Sequence, residues 1–159
     1  MQVLESFSTL INHGSSDTGA EFIHGISAGM LSEAPTFAEV WPAVHSIMSN
    51  AIVVAHNAAF DMSFMASEIA LAECTIDVMP GLCSYWLSRQ AFPESANHKL
   101  ATVAENLGLT NQHAHDASAD AMVVVQALPH MFNRIDKVRH FVEPSERISM
   151  PANVTFKAR

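Results

Sequence analysis

A run of small apolar residues, Ala51 to Ala55, breaks on the polar pair His56-Asn57, and a carboxylate, Asp61, follows just as helical spacing begins. A short β-branched run bounded by a turn is the pattern of a strand buried on both faces. A strand buried that way needs helices above and below it, and the helical pattern after Asn57 starts to supply them. The reading is therefore an α/β layer fold rather than a bundle or a sandwich. The turn also places a carboxylate at the edge of a buried element. Farther on, His115 precedes Asp120 by five positions, at the start of another helical pattern. Two carboxylates and an imidazole at such edges are components of a metal-dependent hydrolytic site.

The rest of the chain agrees with alternating elements. Val3 to Ile11 has strand character, and Asn12 to Gly19 is a polar turn cluster. Thr36-Phe37-Ala38-Glu39 reads as a capping box opening a helix over residues 37 to 49, with Pro42 as a kink. Phe60, Phe64, Ile69 and Leu71 mark a helix to about Ala72, Thr75 to Val78 a brief strand, and Gly81 to Ala91 a helix. Asn97 is placed to cap a helix built on Leu100, Val103, Ala104 and Leu107, with Gly108 as its stop. Ala121, Val124, Val125 and Leu128 form the last strong helix, bent or ended by Pro129. Residues 1–140 read as one domain and 141–159 as a C-terminal tail. The chain has no internal repeat.

Composition narrows the class. Nearly half of the 159 residues are apolar, which excludes a disordered chain, and no apolar run reaches the length of a membrane span. Two cysteines, Cys74 and Cys83, fall in no metal-binding pattern, and the N-terminal residues do not resemble a signal peptide; a reduced, cytoplasmic protein is expected. Residues 1 to 88 hold nine acids and no Lys or Arg, while all eight basic residues lie from Arg89 onward. A net charge of −8 argues against a broad basic face gripping nucleic acid, though not against a metal enzyme whose cations supply the positive charge.

Each candidate residue has a plainer reading. Asp61 and Asp120 both sit where a helix N-terminus favours a carboxylate. His113 and His115 could hold zinc with Asp116 or Asp120, or lie on the surface. His24 alone reads as a structural histidine. Trp41, Tyr85 and Trp86 could stack on bases, but their apolar neighbours favour core packing. Met62, Met65, Met79 and Met122 read as core filler.

Taken together, His56-Asn57-Ala58-Ala59-Phe60-Asp61 and His115…Asp120 resemble the second and third motifs of the DEDDh 3′–5′ exonucleases, the group that includes the proofreading epsilon subunit of bacterial DNA polymerase III. Phe22-Ile23-His24-Gly25-Ile26, Ile76-Asp77 and Asn97 to Gly108 fit the same family in order and spacing, so the resemblance spans about residues 3 to 133. It implies an RNase H-like mixed sheet flanked by helices, two Mg²⁺ or Mn²⁺ ions, and hydrolysis of the terminal phosphodiester of a nucleic acid 3′ end, single-stranded DNA first among substrates. It implies Asp61 and Asp120 as metal ligands, His115 as general base, His56 and Asn57 as residues shaping the turn, and His24 and Ile26 near the terminal nucleotide. A DNA polymerase subunit is an implied partner, and a membrane is not. The other function class compatible with the sequence is a non-catalytic module of the same fold that binds nucleic acid or a protein.

The family's first motif, an aspartate and a glutamate one residue apart on the first strand, has no counterpart here. Glu5 is the sole acid before Asp17 and aligns with the third strand. The sheet is therefore expected to lack its first two strands and the chain to have little or no nuclease activity, because Mg²⁺ keeps its waters unless several carboxylates converge. Three explanations are open: a fragment, with a truncated reading frame the commonest cause; a chain complemented by another; or a repaired sheet in which Val3 to Ile11 pairs with Ala51 to Ala55.

Overall fold

The computed structural model describes residues 2–19, 21–76, 79–109, 116–135 and 147–150. The elements run α1 (Glu21–His24), α2 (Ala28–Ser32), α3 (Phe37–Met48), β1 (Val53–Ala55), α4 (Ala58–Leu71), β2 (Met79–Cys83), α5 (Ser84–Ala91), α6 (Leu100–Asn106), α7 (Ala117–Arg134) and β3 (Arg147–Met150).

A strand's period of two organises the interior. Val53 and Val54 point to opposite faces of β1. Val53 packs with Trp41, Met62, Ile69 and Ile76 in a core under α3 and α4. Val54 packs with Leu87, Val103, Ala127 and Met131 in a second core built by α5, α6 and α7. The sheet thus lies between two helix layers, as the apolar run of residues 51 to 55 requires. β1 pairs in parallel with β2, Val53 opposite Gly81 and Ala55 opposite Cys83. β3 then pairs antiparallel to β2, Met79 opposite Met150 and Leu82 opposite Arg147, giving the order β1-β2-β3. This is a mixed α/β layer structure with a small, partly parallel sheet flanked by helices.

Several elements depart from the sequence reading. Val3 to Ile11 forms no regular secondary structure and joins no ladder, and the repaired sheet with Ala51 to Ala55 does not form. A strand exists only with a partner, and β2 takes one edge of β1 while no described strand takes the other. β1 is correspondingly half-buried rather than fully buried. This segment is held at its end by the Asn12 N–H donating to the Pro35 carbonyl at 2.8 Å. An apolar cavity of about 450 Å³ lies between this segment, Phe37 and Val44 of α3, and Met122 and Val125 of α7.

Thr75 and Ile76, the described part of the strand expected at Thr75 to Val78, form no strand; Asp77 and Val78 lie outside the described residues, and the strand that forms, β2, runs over Met79–Cys83. The helix expected from Gly81 starts at Ser84. Apolar spacing does not separate a short buried strand from the helix that follows it. Asn97 is not the cap of α6: its carboxamide oxygen accepts the Lys99 N–H at 3.0 Å, and Lys99 is the cap position. α7 is not ended by Pro129 but runs on to Arg134. Val124, Ala127, Leu128 and Met131 are buried on both sides of the proline, and burying four such side chains outweighs the cost of about 3 kcal/mol for an interior proline.

In α4 the helix is as expected but its inward face is not. Ala58, Met62, Ala66 and Ile69 are buried, whereas Phe60 and Phe64 are each 59% exposed. Apolar residues occur on both faces of α4, and the small Ala58 and Ala66 allow the closer approach to the sheet. By contrast α3 forms as its sequence dictates. Thr36 accepts the Glu39 N–H, and the Glu39 carboxylate accepts the Thr36 N–H at 2.8 Å, both halves of the capping box. These bonds hold the Glu39 carboxyl below the usual carboxylate range.

Candidate active site

The turn between β1 and α4 carries the first candidate carboxylate, and its shape follows from one residue. Asn57 has φ 68° and ψ 47°, the left-handed region. Asparagine tolerates that region better than other residues with a side chain, apart from aspartate. Its side chain caps nothing; its backbone turns the chain so that α4 begins at Ala58 and Asp61 falls in the first helical turn.

The turn is held from below by His56. The His56 Nε2–H donates to the His98 carbonyl at 2.8 Å, which leaves Nδ1 of the neutral ring to accept from the Ser84 hydroxyl at 3.1 Å. Ser84 is fully buried at the start of α5 and also lies 3.3 Å from the Ala55 carbonyl. The Tyr85 ring stands edge-on to His56 at 5.9 Å. Burial drives the His56 pKa below its ordinary value, opposed by the His98 carbonyl and by Asp61. Partial desolvation lifts the Asp61 carboxyl above the usual range, against the pull of its own backbone N–H and of His56. Sequence reading does not single out Ser84 or His98 as site residues, and it weighs Tyr85 only as a base-stacking or core residue. A serine directly after the apolar β2 residues was the available signal.

The second candidate carboxylate, Asp120, lies half-buried in the first turn of α7, its N–H donating to the Asp116 carbonyl at 2.9 Å. α7 packs against β1, so Asp120 is carried on a helix that touches the strand leading to Asp61. Asp116, a possible zinc ligand by sequence, is the N-cap of α7 and accepts the Ala119 N–H at 2.9 Å. His113 and His115 lie outside the described residues. His24 spends both ring nitrogens on its own loop. Its Nε2–H donates to the Thr18 carbonyl and its Nδ1 accepts the Ile26 N–H, each at 3.0 Å. Trp41 is a core residue, as expected, stacked on Phe37.

As a metal site the donor set fits in kind and falls short in number. Carboxylate oxygens are the ligands that Mg²⁺ and Mn²⁺ select. Among the described residues, however, no three His, Cys, Asp or Glu side chains converge.

A strand–turn–helix delivering Asp61, with a second carboxylate on a helix packed against that strand, is part of an RNase H-like exonuclease domain, and sequence comparison agrees. Residues 1–128 match the exonuclease family RNase_T, to which the chain belongs. It is 33% identical over 126 residues to a DNA polymerase III subunit epsilon-like protein of Rhodobacter capsulatus, covering 77% of this chain and 18% of that one. It is 32% identical to a PolC-type DNA polymerase III of Oceanobacillus iheyensis, over 76% of this chain and 8% of the other. It is 30% identical to the 3′-5′ exonuclease DinG of Staphylococcus aureus, over 71% of this chain and 13% of the other. The chain thus spans less than a fifth of each of these relatives. No helix among the described residues is long and apolar enough to cross a membrane.

Proposed function

We propose that this chain supplies the second and third motifs of a two-metal 3′–5′ exonuclease site acting on the terminal phosphodiester of single-stranded DNA. The observation that carries the reading is the pinned turn. His56, held by Ser84 and His98, fixes where Asp61 is presented, in a chain of the exonuclease family. Asp61 and Asp120 are assigned as metal ligands and His115 as the base that takes the proton of the attacking water, a task suited to an imidazole with an ordinary pKa of about 6.5. Two Mg²⁺ or Mn²⁺ ions, when bound, supply the positive charge that stabilises the attacking and leaving oxygens. His56 and Asn57 set the turn, and His24 with Ile26 lies on the side of the terminal nucleotide. The relatives' names favour work beside a replicative polymerase.

Two carboxylates hold Mg²⁺ weakly, so residues 1–159 alone are expected to show little or no nuclease activity, and further carboxylates in the site to raise the rate. Mn²⁺ binding followed by water-proton relaxation, alongside release of a 3′ label from single-stranded DNA, tests the assignment. Weak Mn²⁺ binding that is lost in both Asp61→Asn and Asp120→Asn is expected. Mn²⁺ binding unchanged in the double variant would sink the ligand assignment and leave the non-catalytic module as the better reading. Clear digestion by residues 1–159 that disappears in Asp120→Asn would overturn the expected inactivity.

A further inference from the structure

We infer that Trp86 and Arg89, on the outer face of α5, form a nucleic-acid subsite next to the Asp61 turn. Trp86 takes a base by stacking and Arg89 takes the adjoining phosphate. The inference rests on the exonuclease reading above and adds where the strand lies behind its 3′ end.

The helix itself separates the two residues from the core. Ser84, Leu87, Ser88 and Ala91 form the buried stripe of α5, which packs against α7 and β1. Trp86 and Arg89, three apart, are neighbours on the opposite face. Trp86 is 48% exposed, although an indole in an apolar segment is expected to be core. The Arg89 guanidinium lies 4.9 Å from the centre of the indole, and the Tyr85 ring stands perpendicular to it at 5.5 Å. Among the described residues, Arg89 has no carboxylate within ion-pair distance, whereas Arg134 both covers Phe92 and pairs with Glu94 at 2.7 Å. An exposed indole beside an unpaired guanidinium offers a stacking face and a phosphate donor together. That combination accepts any base, because every base has a π-face.

Position ties the pair to the candidate site. β1 and β2 are parallel with Ala55 opposite Cys83, so the Asp61 turn and the start of α5 leave the same end of the sheet. The His56–Ser84 bond joins them, and Tyr85 touches His56 on one side and Trp86 on the other. Charge points the same way. Arg89 is the first cation in the chain after 88 residues with nine acids, and Lys99 adjoins His98, whose carbonyl holds His56. A polyanion reaching Asp61 therefore finds Arg89 on α5 and Lys99 at the start of α6.

The test is binding of a fluorescein-labelled oligothymidylate to the whole chain in calcium buffer, followed by anisotropy. Trp86→Ala should weaken binding about tenfold, and Trp86→Phe should restore most of it. Arg89→Ala should weaken binding and reduce the log–log salt slope by about 0.7, one phosphate on a single strand. Indole fluorescence should be quenched on binding, and the quench should vanish in Trp86→Phe although binding persists. Both side chains are exposed, so circular dichroism of the variants should match the parent. If the parent binds and neither alanine variant differs from it, the subsite is wrong and the exonuclease reading stands. A parent that fails to bind the strand overturns the subsite too. Failure of the exonuclease reading itself shows separately, in Mn²⁺ binding insensitive to Asp61→Asn and Asp120→Asn.

Discussion

His56 is held neutral by its surroundings. Its pKa is lowered, chiefly by burial, so on acidification the unfolded chain binds a proton near pH 6.5 before the folded one does. Where the unfolded state binds more protons, stability falls as pH falls. The contribution of His56 is therefore level above about pH 7 and declines as pH drops through about 6.5 toward the lower folded value. The chain holds eight other histidines, so the readout is a difference. Urea midpoints of the parent and of His56→Gln, compared from pH 7.5 to 5, should converge on acidification; this sets a condition on buffers of about these values. Parallel curves would show that His56 carries no buried-neutral penalty. Asp61 has the opposite sign. Its raised pKa means that the ionised form costs stability once pH exceeds the unfolded value, a cost a helix N-terminus partly offsets.

The β1–α4 corner is decided at the scale of the element. α4 has no side-chain cap, and its start depends on the left-handed backbone of Asn57. Asn57→Gly should leave the melting temperature nearly unchanged, because glycine enters that region freely. Asn57→Val, with a β-branched side chain, should cost about 1–2 kcal/mol and lower the melting temperature by several degrees. Equal stability of the two variants would mean the corner can relax out of the left-handed region. α3 is the contrasting case. Its start is written entirely in local residues, Thr36 and Glu39, and sequence and structure coincide there to within a residue at the far end. α4 and α5 show the limit of periodicity. The period identifies a helix, but which of two apolar faces turns inward depends on what the helix meets.

For the whole molecule, a surplus of negative charge opposes an unusually apolar surface. Leu4 and Phe22 are each 89% exposed and Leu71 is 76% exposed, while β1 has one edge with no described partner. Such edges and patches promote association, and a net charge of −8 resists it. Screening removes the resistance and leaves the apolar attraction. Raising salt from about 0.05 M to 0.5 M, which shortens the Debye length from about 14 Å to about 4 Å, should increase self-association in light scattering. A scattering mass independent of salt would show that the exposed apolar residues are not adhesive. The same surface explains why the cavity under Val3 to Ile11 exists: helices on both sides are in place, and no described strand fills the layer between them.

Family and layer architecture were legible in the chain alone. These rest on local order: a β-branched run, a turn residue able to adopt positive φ, and carboxylates at fixed spacing from helix starts. What local order cannot encode is which surfaces meet. That Val3 to Ile11 stays unpaired, that α7 passes through Pro129, that Phe60 and Phe64 face outward, and that Ser84 and His98 clasp His56 depend on residues far apart in the chain. The bond from His56 to His98 spans 42 positions, and a pairing at that distance is selected by burial and hydrogen-bond satisfaction in the assembled fold. His56-to-Asp61 was a motif in sequence, and the tertiary structure made it a turn with a fixed foundation.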